Sequence, residues 1–424
     1  MDHGKEATLA GWVEDVRNLG GIAFLIVRQR DGTFQATLKK KGHEDLFDRA
    51  SKIVRESAVA VHGPVQPNPQ VRNGWELLAV SIEVLSAAAA PLPLPVADKV
   101  GAETNTRFDN RFLDLRKPEH RAIFRVRSVA LAALRSYLGE QGFVEVHTPK
   151  LTGAGAEGGA TLFETTYFGR RAYLSQSPQL YKQMLMSTGL DRVYEIAPAF
   201  RAEPSDTVRH VTEFTSFDGE VAWIDHQEEV FALLEGAVAH AIEGVRRDAK
   251  AELEKLRADP KVPQLPLKRL PYTEALEVLR GRGKRVRDGD DLDTEGEKLI
   301  GQAMAEEGHE LYFLTEYPTA IKPFYIMAKP DEPEYSYSFD LEYKGDEMAS
   351  GGQRENRIEV LEARMRDKGL DLADFDFYLK AFRYGMPPHG GWGFGIDRFV
   401  QKLLDQPNIR EAILFPRDRV RLIP

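Results

Sequence analysis

The chain changes its hydrophobic period part-way along. Between Ala7 and Leu85 the apolar positions fall in short β-type runs: "TLAGWV", "IAFLIV", "TFQATL", "AVAVHG" and "WELLAVSIEVL". These runs predict strands, and "RDG" at Arg30 to Gly32 predicts the turn of a hairpin between the second and third. Five or so strands in about 80 residues predict a small closed barrel of OB-fold type. "AAAAPLPLP", Ala87 to Pro95, predicts an extended linker, because proline fixes φ and cannot join a ladder. Arg107 to His120 continues that connection with charge and little periodicity. Helical spacing starts near Ala122 and runs to about Gln141, with Gly142 where a C-terminal cap belongs. Further on, "AYLSQSP", "RVYEIAPAFR", "EFTSFDGEVAWI" and "YSFDLEYKG" predict strands, and "HQEEVFALLEGAVAHAIEGV" an amphipathic helix. Residues from about 245 to 310 read as a charged helical insertion. Strands and helices interleave without βαβ alternation, so the expected class is α+β with an antiparallel sheet flanked by helices. The expected division is a barrel over 1–88, a linker or hinge over 89–120 and a second domain over 121–424.

Composition narrows the function. With 424 residues, two or three domains are expected at about 150 residues each. No apolar run reaches about 18 residues, so no membrane-spanning helix is expected. Met1 to Lys5 is polar and lacks the pattern of a secretory signal. The absence of cysteine excludes disulfides, thiolate metal sites and cysteine nucleophiles, and fits a cytoplasmic protein. The net charge of −9 speaks weakly against a nucleic-acid partner. Residues 1–90, however, hold 11 Lys/Arg and 11 Asp/Glu, so the acidity lies downstream and a face of the barrel can still be basic.

No Walker loop and no G-x-G-x-x-G after a strand is present, so phosphates would have to be held by side chains. Three segments supply them. "FRAEPSDTVRHVTEF", Phe200 to Phe214, puts Arg201 at the end of one strand and Arg209-His210 at the start of the next, where cations on two arms can clamp a polyphosphate. "GWGFGIDRF", Gly391 to Phe399, has Gly393 and Gly395 to admit a flat ligand and Arg398 at the start of a helix. "FDLEYKGDEMASGGQR", Phe339 to Arg354, carries Asp340 and Glu347, a carboxylate pair suited to Mg²⁺ that substrate phosphates also hold. Each has a plainer reading: a surface hairpin with ion pairs, a tight strand-to-helix turn, and solvated acids.

Taken together the segments resemble class II aminoacyl-tRNA synthetases. Phe200-Arg201-Ala202-Glu203 matches the end of the first strand of motif 2, and Gly393 to Arg398 matches motif 3. "LRSYLGEQGFVEVHTP", up to Pro149, matches the helix and strand of motif 1. Order and spacing agree for all three. From "AGWVEDVRNLGGIAF" to "FPRDRVRLIP" the chain is similar to the aspartyl branch of archaeal type. The lysyl and asparaginyl branches share the plan, so the choice rests on the amino-acid pocket, marked by "SQSPQLYKQ", Ser175 to Gln183.

The resemblance implies a set of roles. L-aspartate would meet Lys182 and Arg354 through its side-chain carboxylate. Its ammonium would meet Glu157 in the glycine-rich loop "GAGAEGGATLF", Gln179 and Asp218. Ser350, Tyr325, Ser175 and His389 are further pocket candidates. For ATP, Arg201 is expected on the α-phosphate, Glu203 at the adenine edge and Phe214 below the base. Arg209, His210 and Arg398 are expected on the outer phosphates. Asp340 and Glu347, with Ser350 beside them, would hold Mg²⁺. Position 397 is Asp where many relatives have Glu. In the barrel, Phe24 would stack on the middle anticodon base and Gln35 read its edge, with Arg17 nearby; the plainer reading puts Phe24 in the barrel core. Glu14 and Arg72 fall where the third anticodon base is tuned, and do not decide between tRNA(Asp) and tRNA(Asn). The implied reaction makes an aspartyl-adenylate and then charges tRNA(Asp), with tRNA(Asn) an open alternative. Dimerisation through motif 1 around Pro149 is also implied. Two rivals compete with this reading: an amide-forming ligase on the same catalytic sheet, for which an anticodon barrel has no use, and a non-catalytic nucleic-acid binder.

Overall fold

A computed structural model describes residues 4–96, 101–153, 161–204 and 207–424. The chain forms two compact units, Met1–Lys117 and Pro118–Pro424. The first contains β1 (Glu6–Asn18), β2 (Ile22–Gln29), β3 (Gly32–Lys39), α1 (Glu44–Ala50), β4 (Ala58–Pro67), β5 (Trp75–Leu78) and β6 (Ser81–Ser86). The sheet runs β1-β2-β3-β5-β4-β6, and β1 also pairs with β4, which closes it. Alternation explains the inside: Ala23, Leu25 and Val27 of β2 are buried with Val59 and Val61 of β4, and Phe47 of α1 joins them. The stretch "WELLAVSIEVL" makes two strands. At its middle the amide of Ala79 donates to Thr37 at 2.9 Å and that of Val80 to His62 at 2.9 Å, so the chain changes neighbours there.

The charged stretch after Arg107 is also more ordered than its pattern predicts. It holds α2 (Thr104–Asp109) and α3 (Arg111–Asp114). Arg111 and Asp114 are fully buried and paired at 2.6 Å, and Arg107 joins Asp114 at 2.9 Å. Charges that satisfy one another fill places where apolar residues would have announced a helix.

In the second unit α4 (Pro118–Glu140) opens on proline, whose fixed φ suits a first helical turn. It ends where Gly142 takes φ +78° and Phe143 donates to the Leu138 carbonyl at 3.0 Å. Then come β7 (Val144–Glu145), β8 (Leu151–Thr152), β9 (Glu164–Tyr167), β10 (Arg170–Leu174), α5 (Gln179–Leu185), β11 (Arg192–Phe200), β12 (Glu213–Ala222), α6 (Glu228–Asp248) and α7 (Lys250–Leu256). They are followed by β13 (Lys268–Pro271), α8 (Tyr272–Gly281), α9 (Thr294–Glu306), β14 (Leu311–Thr315), β15 (Ser338–Tyr343) and β16 (Asp346–Gln353). The last are α10 (Ile358–Asp367), α11 (Asp376–Arg383), β17 (His389–Gly395) and α12 (Ile396–Leu403). An eight-stranded sheet runs β13-β14-β15-β16-β17-β12-β11-β7, antiparallel except for the outermost pair at each end.

The segment expected as a helical insertion therefore also contributes a strand, β13, to the sheet edge. Its Arg269 is neutralised by Glu235 of α6 at 2.7 Å, which lets so polar a strand pack there. One face of the sheet presents Phe217, Trp392, Phe394, Phe339 and Leu341 to a core shared with α4 and α6. The two helices are close: a Cβ on Gly244 would lie 2.8 Å from that of Ala133. Truncating a side chain as buried as Phe217 costs about 3–5 kcal/mol in such cores. The alternate residues of the same strands face the other way.

Candidate active site

Those alternate residues are polar. Register aligns Asp218 of β12 with Gly393 of β17, Gly393 with Ser350 of β16, and Ser350 with Asp340 of β15. One rung further, Glu220 is opposite Gly391. A Cβ on Gly391 would stand 2.1 Å from Glu220 Oε2, so this glycine makes room for a buried carboxylate. Above the row lies a cavity of about 350 Å³ lined by residues of every predicted catalytic segment.

At one end of the cavity stand Gln179, Asp218, Tyr325, Ser350 and Arg354. Arg354 is wholly buried, and its Nε and Nη2 donate to Glu220 at 2.9 and 3.2 Å. Burial works against the guanidinium charge, but Glu220 more than restores it and the Arg354 pKa is raised. Burial would likewise raise Glu220; Arg354 and Lys182 overcome it, and the net shift is downward. One edge of the guanidinium is thus fixed on Glu220, and its Nη1 edge is left for a second planar acceptor. Lys182 lies behind the wall: its Nζ is 2.8 Å from Asp218, 2.6 Å from the Trp392 carbonyl and 3.5 Å from Glu220. The two cations expected to share a substrate carboxylate do converge on one carboxylate, that of Glu220. Sequence reading missed it, although it alternates with Asp218 on the same strand face. Ser175 donates to the Ser177 carbonyl at 2.7 Å, and His389 is buried beneath the site; neither lines the cavity. Glu157 lies outside the described residues.

At the other end stand Arg201, Glu203, Arg209, His210, Phe214, Glu347 and Arg398. Arg201 follows β11 and its guanidinium is 5.3 Å from the Phe214 ring. Arg209 and His210 precede β12 by a few residues instead of opening it. Arg209 pairs with Glu297 of α9 at 3.0 Å and with Asp346. Burial, helped by Arg398, lowers the His210 pKa. Arg398, third residue of α12, donates to the Glu347 carbonyl at 2.5 Å. Asp397 accepts from Arg127 of α4 and from the Thr215 amide, 2.6 Å away, and so ties the start of α12 to α4 and β12.

The carboxylates near this end fit a hard divalent cation. Asp340 accepts from Lys322 through one oxygen at 2.9 Å, while the other, Oδ1, is buried without a partner. Burial and Asp340 raise the Glu347 pKa against the pull of Arg398, Lys322 and Arg201, the strain that a bound cation relieves. Among the described residues no group of three or more acids and histidines forms a complete cage. Glu342, opposite Glu347, is raised well above the ordinary carboxylate range by burial and by Glu297 and Glu347.

On the barrel, Phe24 is half-buried and lies on the face opposite Ala23, Leu25 and Val27, outside the core. Arg17 is its neighbour on β1 and Thr37 on β3. Arg17 pairs with Asp15 at 2.9 Å. Gln35 gives its amide nitrogen to Glu76 at 2.8 Å, which orients its carbonyl oxygen; Glu76 was not singled out from the sequence. Glu14 sits 3.5 Å from Arg28.

A largely antiparallel sheet with a set of arginines and acids gathered at one face, in a chain that also holds an OB barrel, is the architecture of class II tRNA synthetases. The family described as "tRNA synthetases class II (D, K and N)" matches residues 103–419, and the OB-fold nucleic acid binding domain matches residues 7–85. The chain belongs to the class II tRNA synthetases of the aspartate, lysine and asparagine group. It is 52% identical to the aspartate–tRNA(Asp) ligase of Thermococcus kodakarensis over 100% of this chain and 97% of that protein. It is 48% identical to the aspartate–tRNA(Asp/Asn) ligase of Methanosarcina barkeri, over 100% and 96%. The asparaginyl-tRNA synthetase of Pyrococcus horikoshii, solved with asparaginyl-adenylate, superposes with a TM-score of 0.92 at 36% identity, covering 100% of this chain and 97% of that one.

Proposed function

We propose that this chain is an aspartate–tRNA ligase that activates L-aspartate with ATP and transfers it to tRNA(Asp). The observation that carries the choice of amino acid is Arg354, held by Glu220 through one edge with the other toward a cavity that also presents Asp218 and Gln179. The cation is matched to a carboxylate and the acceptors to an ammonium. An asparagine side chain has less use for a buried guanidinium, and a lysine side chain would be repelled. Lys182 acts here mainly by balancing Asp218 and Glu220, which keeps the pocket neutral before aspartate enters.

In the first step an α-carboxylate oxygen of aspartate attacks the α-phosphorus of ATP. The new P–O bond forms as the bond to the β-phosphate bridge breaks, and pyrophosphate leaves. Arg201 neutralises charge at the α-phosphate; Arg209, His210 and Arg398 take the outer phosphates; Glu203 and Phe214 hold the adenine. Asp340 and Glu347, with Ser350 beside them, would hold Mg²⁺, which when bound supplies charge neutralisation along the phosphates. In the second step the 3′-hydroxyl of the terminal tRNA adenosine attacks the aspartyl carbonyl and AMP leaves. A phosphate oxygen of the adenylate accepts the hydroxyl proton, since among the described residues no side chain stands out as a dedicated base.

Phe24, Gln35 and Arg17 form the anticodon-reading face of the barrel. Dimerisation uses the motif 1 region around Pro149, where Val144 and Leu151 are 43% and 47% exposed. Among the described residues no helix is long and apolar enough to cross a membrane. A ligase that charges tRNA works where tRNA is used, in the cytoplasm. Whether tRNA(Asn) is also charged is decided by aspartylation of both purified tRNAs side by side. Charging of neither would refute the proposal, and formation of an ammonia-dependent amide without any tRNA charging would favour the amide-forming rival.

A further inference from the structure

Behind the cavity wall lies a buried polar chain that the reaction steps above do not use. Pro387 has a carbonyl and no N–H, and His389 Nδ1 is 2.9 Å from that oxygen. Only a donor satisfies the contact, so Nδ1 carries a proton. His389 is fully buried, and burial holds its pKa down to about 4 in spite of Glu220; the ring is neutral and its Nε2 is an acceptor. Gln183, also fully buried, lies 3.1 Å from Nε2 and must offer its amide nitrogen. Its carbonyl oxygen then faces the other way, where Tyr378 donates its hydroxyl at 3.2 Å and Gln179 donates Nε2 at 2.9 Å. Gln179 lines the cavity beside Asp218. Its nitrogen is committed to Gln183, so its own carbonyl oxygen remains for the cavity. Reversing any one amide would set two donors or two acceptors against each other out of reach of water.

We infer that Gln183 and His389 are positioning residues that fix the direction of the Gln179 amide, presenting its carbonyl oxygen as an acceptor for the ammonium of the amino-acid substrate. The inference rests on the aspartate reading for the identity of that substrate. The order of donors runs from a proline carbonyl, through a histidine of fixed tautomer and two glutamines, to the substrate. The direction follows from the one group in the chain that can only accept, and does not depend on how any amide is drawn.

The test uses the full-length enzyme in aspartate-dependent ATP–pyrophosphate exchange, with succinate as a competitor that keeps both carboxylates and lacks the ammonium. Gln183→Met removes the acceptor for Gln179. It is expected to raise KM for aspartate by about ten- to a hundredfold, the loss of one hydrogen bond to a charged group, with KM for ATP and inhibition by succinate unchanged. Gln183→Glu keeps an acceptor toward Gln179 and is expected to restore most of the aspartate affinity. Succinate inhibition falling in step with aspartate affinity, or neither changing, would overturn the inference. Should Gln183→Met fail to fold, ¹⁵N NMR of the wild-type imidazoles decides: the expected tautomer of His389 has its proton on Nδ1, and a proton on Nε2 overturns the inference. If the wild type shows no exchange with aspartate at all, the substrate reading fails, while the tautomer result still judges the direction of the Gln179 amide.

Discussion

Arg201 lines the cavity and Glu220 is buried beneath its wall, and the two do opposite kinds of work. Arg201 is expected to act on charge that grows during reaction. Arg201→Ala should lose about 2.7–4 kcal/mol of transition-state stabilisation, the range for one such donor, with little change in folding. Near-normal pyrophosphate exchange in the variant would exclude that role. Glu220 acts on charge that is always present. Its pKa is lowered by Arg354 and Lys182 against burial, so its stabilising contribution is complete above the ordinary value of 4.5 and fades as pH falls through the lower folded value. Glu220→Gln leaves two cations with one fewer partner and should cost about 3–5 kcal/mol at pH 7. The gap between variant and wild type in denaturant melts should narrow below pH 4.5; a gap independent of pH would contradict the assignment. At this scale the sequence was partly legible. Arg354, Asp218 and Gln179 could be found because each lies in a recognisable segment. Glu220 and Glu76 could not, because a carboxylate that neutralises a buried cation looks, in one dimension, like any other acid on a strand.

The elements differ in how plainly they announce themselves. Strands β1 to β4 follow from alternation, because one face is apolar core and the other meets water. α6 follows from an apolar stripe against α4. The short helices α2 and α3 do not, since Arg111 and Asp114 occupy core positions with charge. β13 was hidden for a related reason: four residues with two cations become a strand only when Glu235 is there to meet Arg269. Phe24 is read for function from the same alternation. Its neighbours Ala23 and Leu25 point into the barrel, so Phe24 points out, where an unstacked base could lie on it. Phe24→Ala should cost about 1–3 kcal/mol in tRNA affinity and leave adenylate formation intact. A matching loss in pyrophosphate exchange would show that the ring supports the fold. Motif 1 makes a further prediction at this scale. Leu151→Asp places a charge on an exposed apolar position beside Pro149, and sedimentation should show the assembly shifting toward monomer; an unchanged sedimentation coefficient would move the interface elsewhere.

For the molecule as a whole, the proposed division of labour is between an OB-fold barrel that reads tRNA and a sheet that activates an amino acid. The register of β12, β17, β16 and β15 does most to build the catalytic half, because it lines up Asp218, Gly393, Ser350 and Asp340 from segments far apart in sequence. That row was invisible until the strand order was known, whereas the three motifs that feed it were not. The most direct check of the account is pyrophosphate exchange with aspartate, asparagine and lysine measured in parallel at saturating ATP. A pocket built around Arg354 and balanced by Glu220 predicts exchange with aspartate alone. Exchange driven as well by asparagine would mean that the guanidinium does not select a carboxylate.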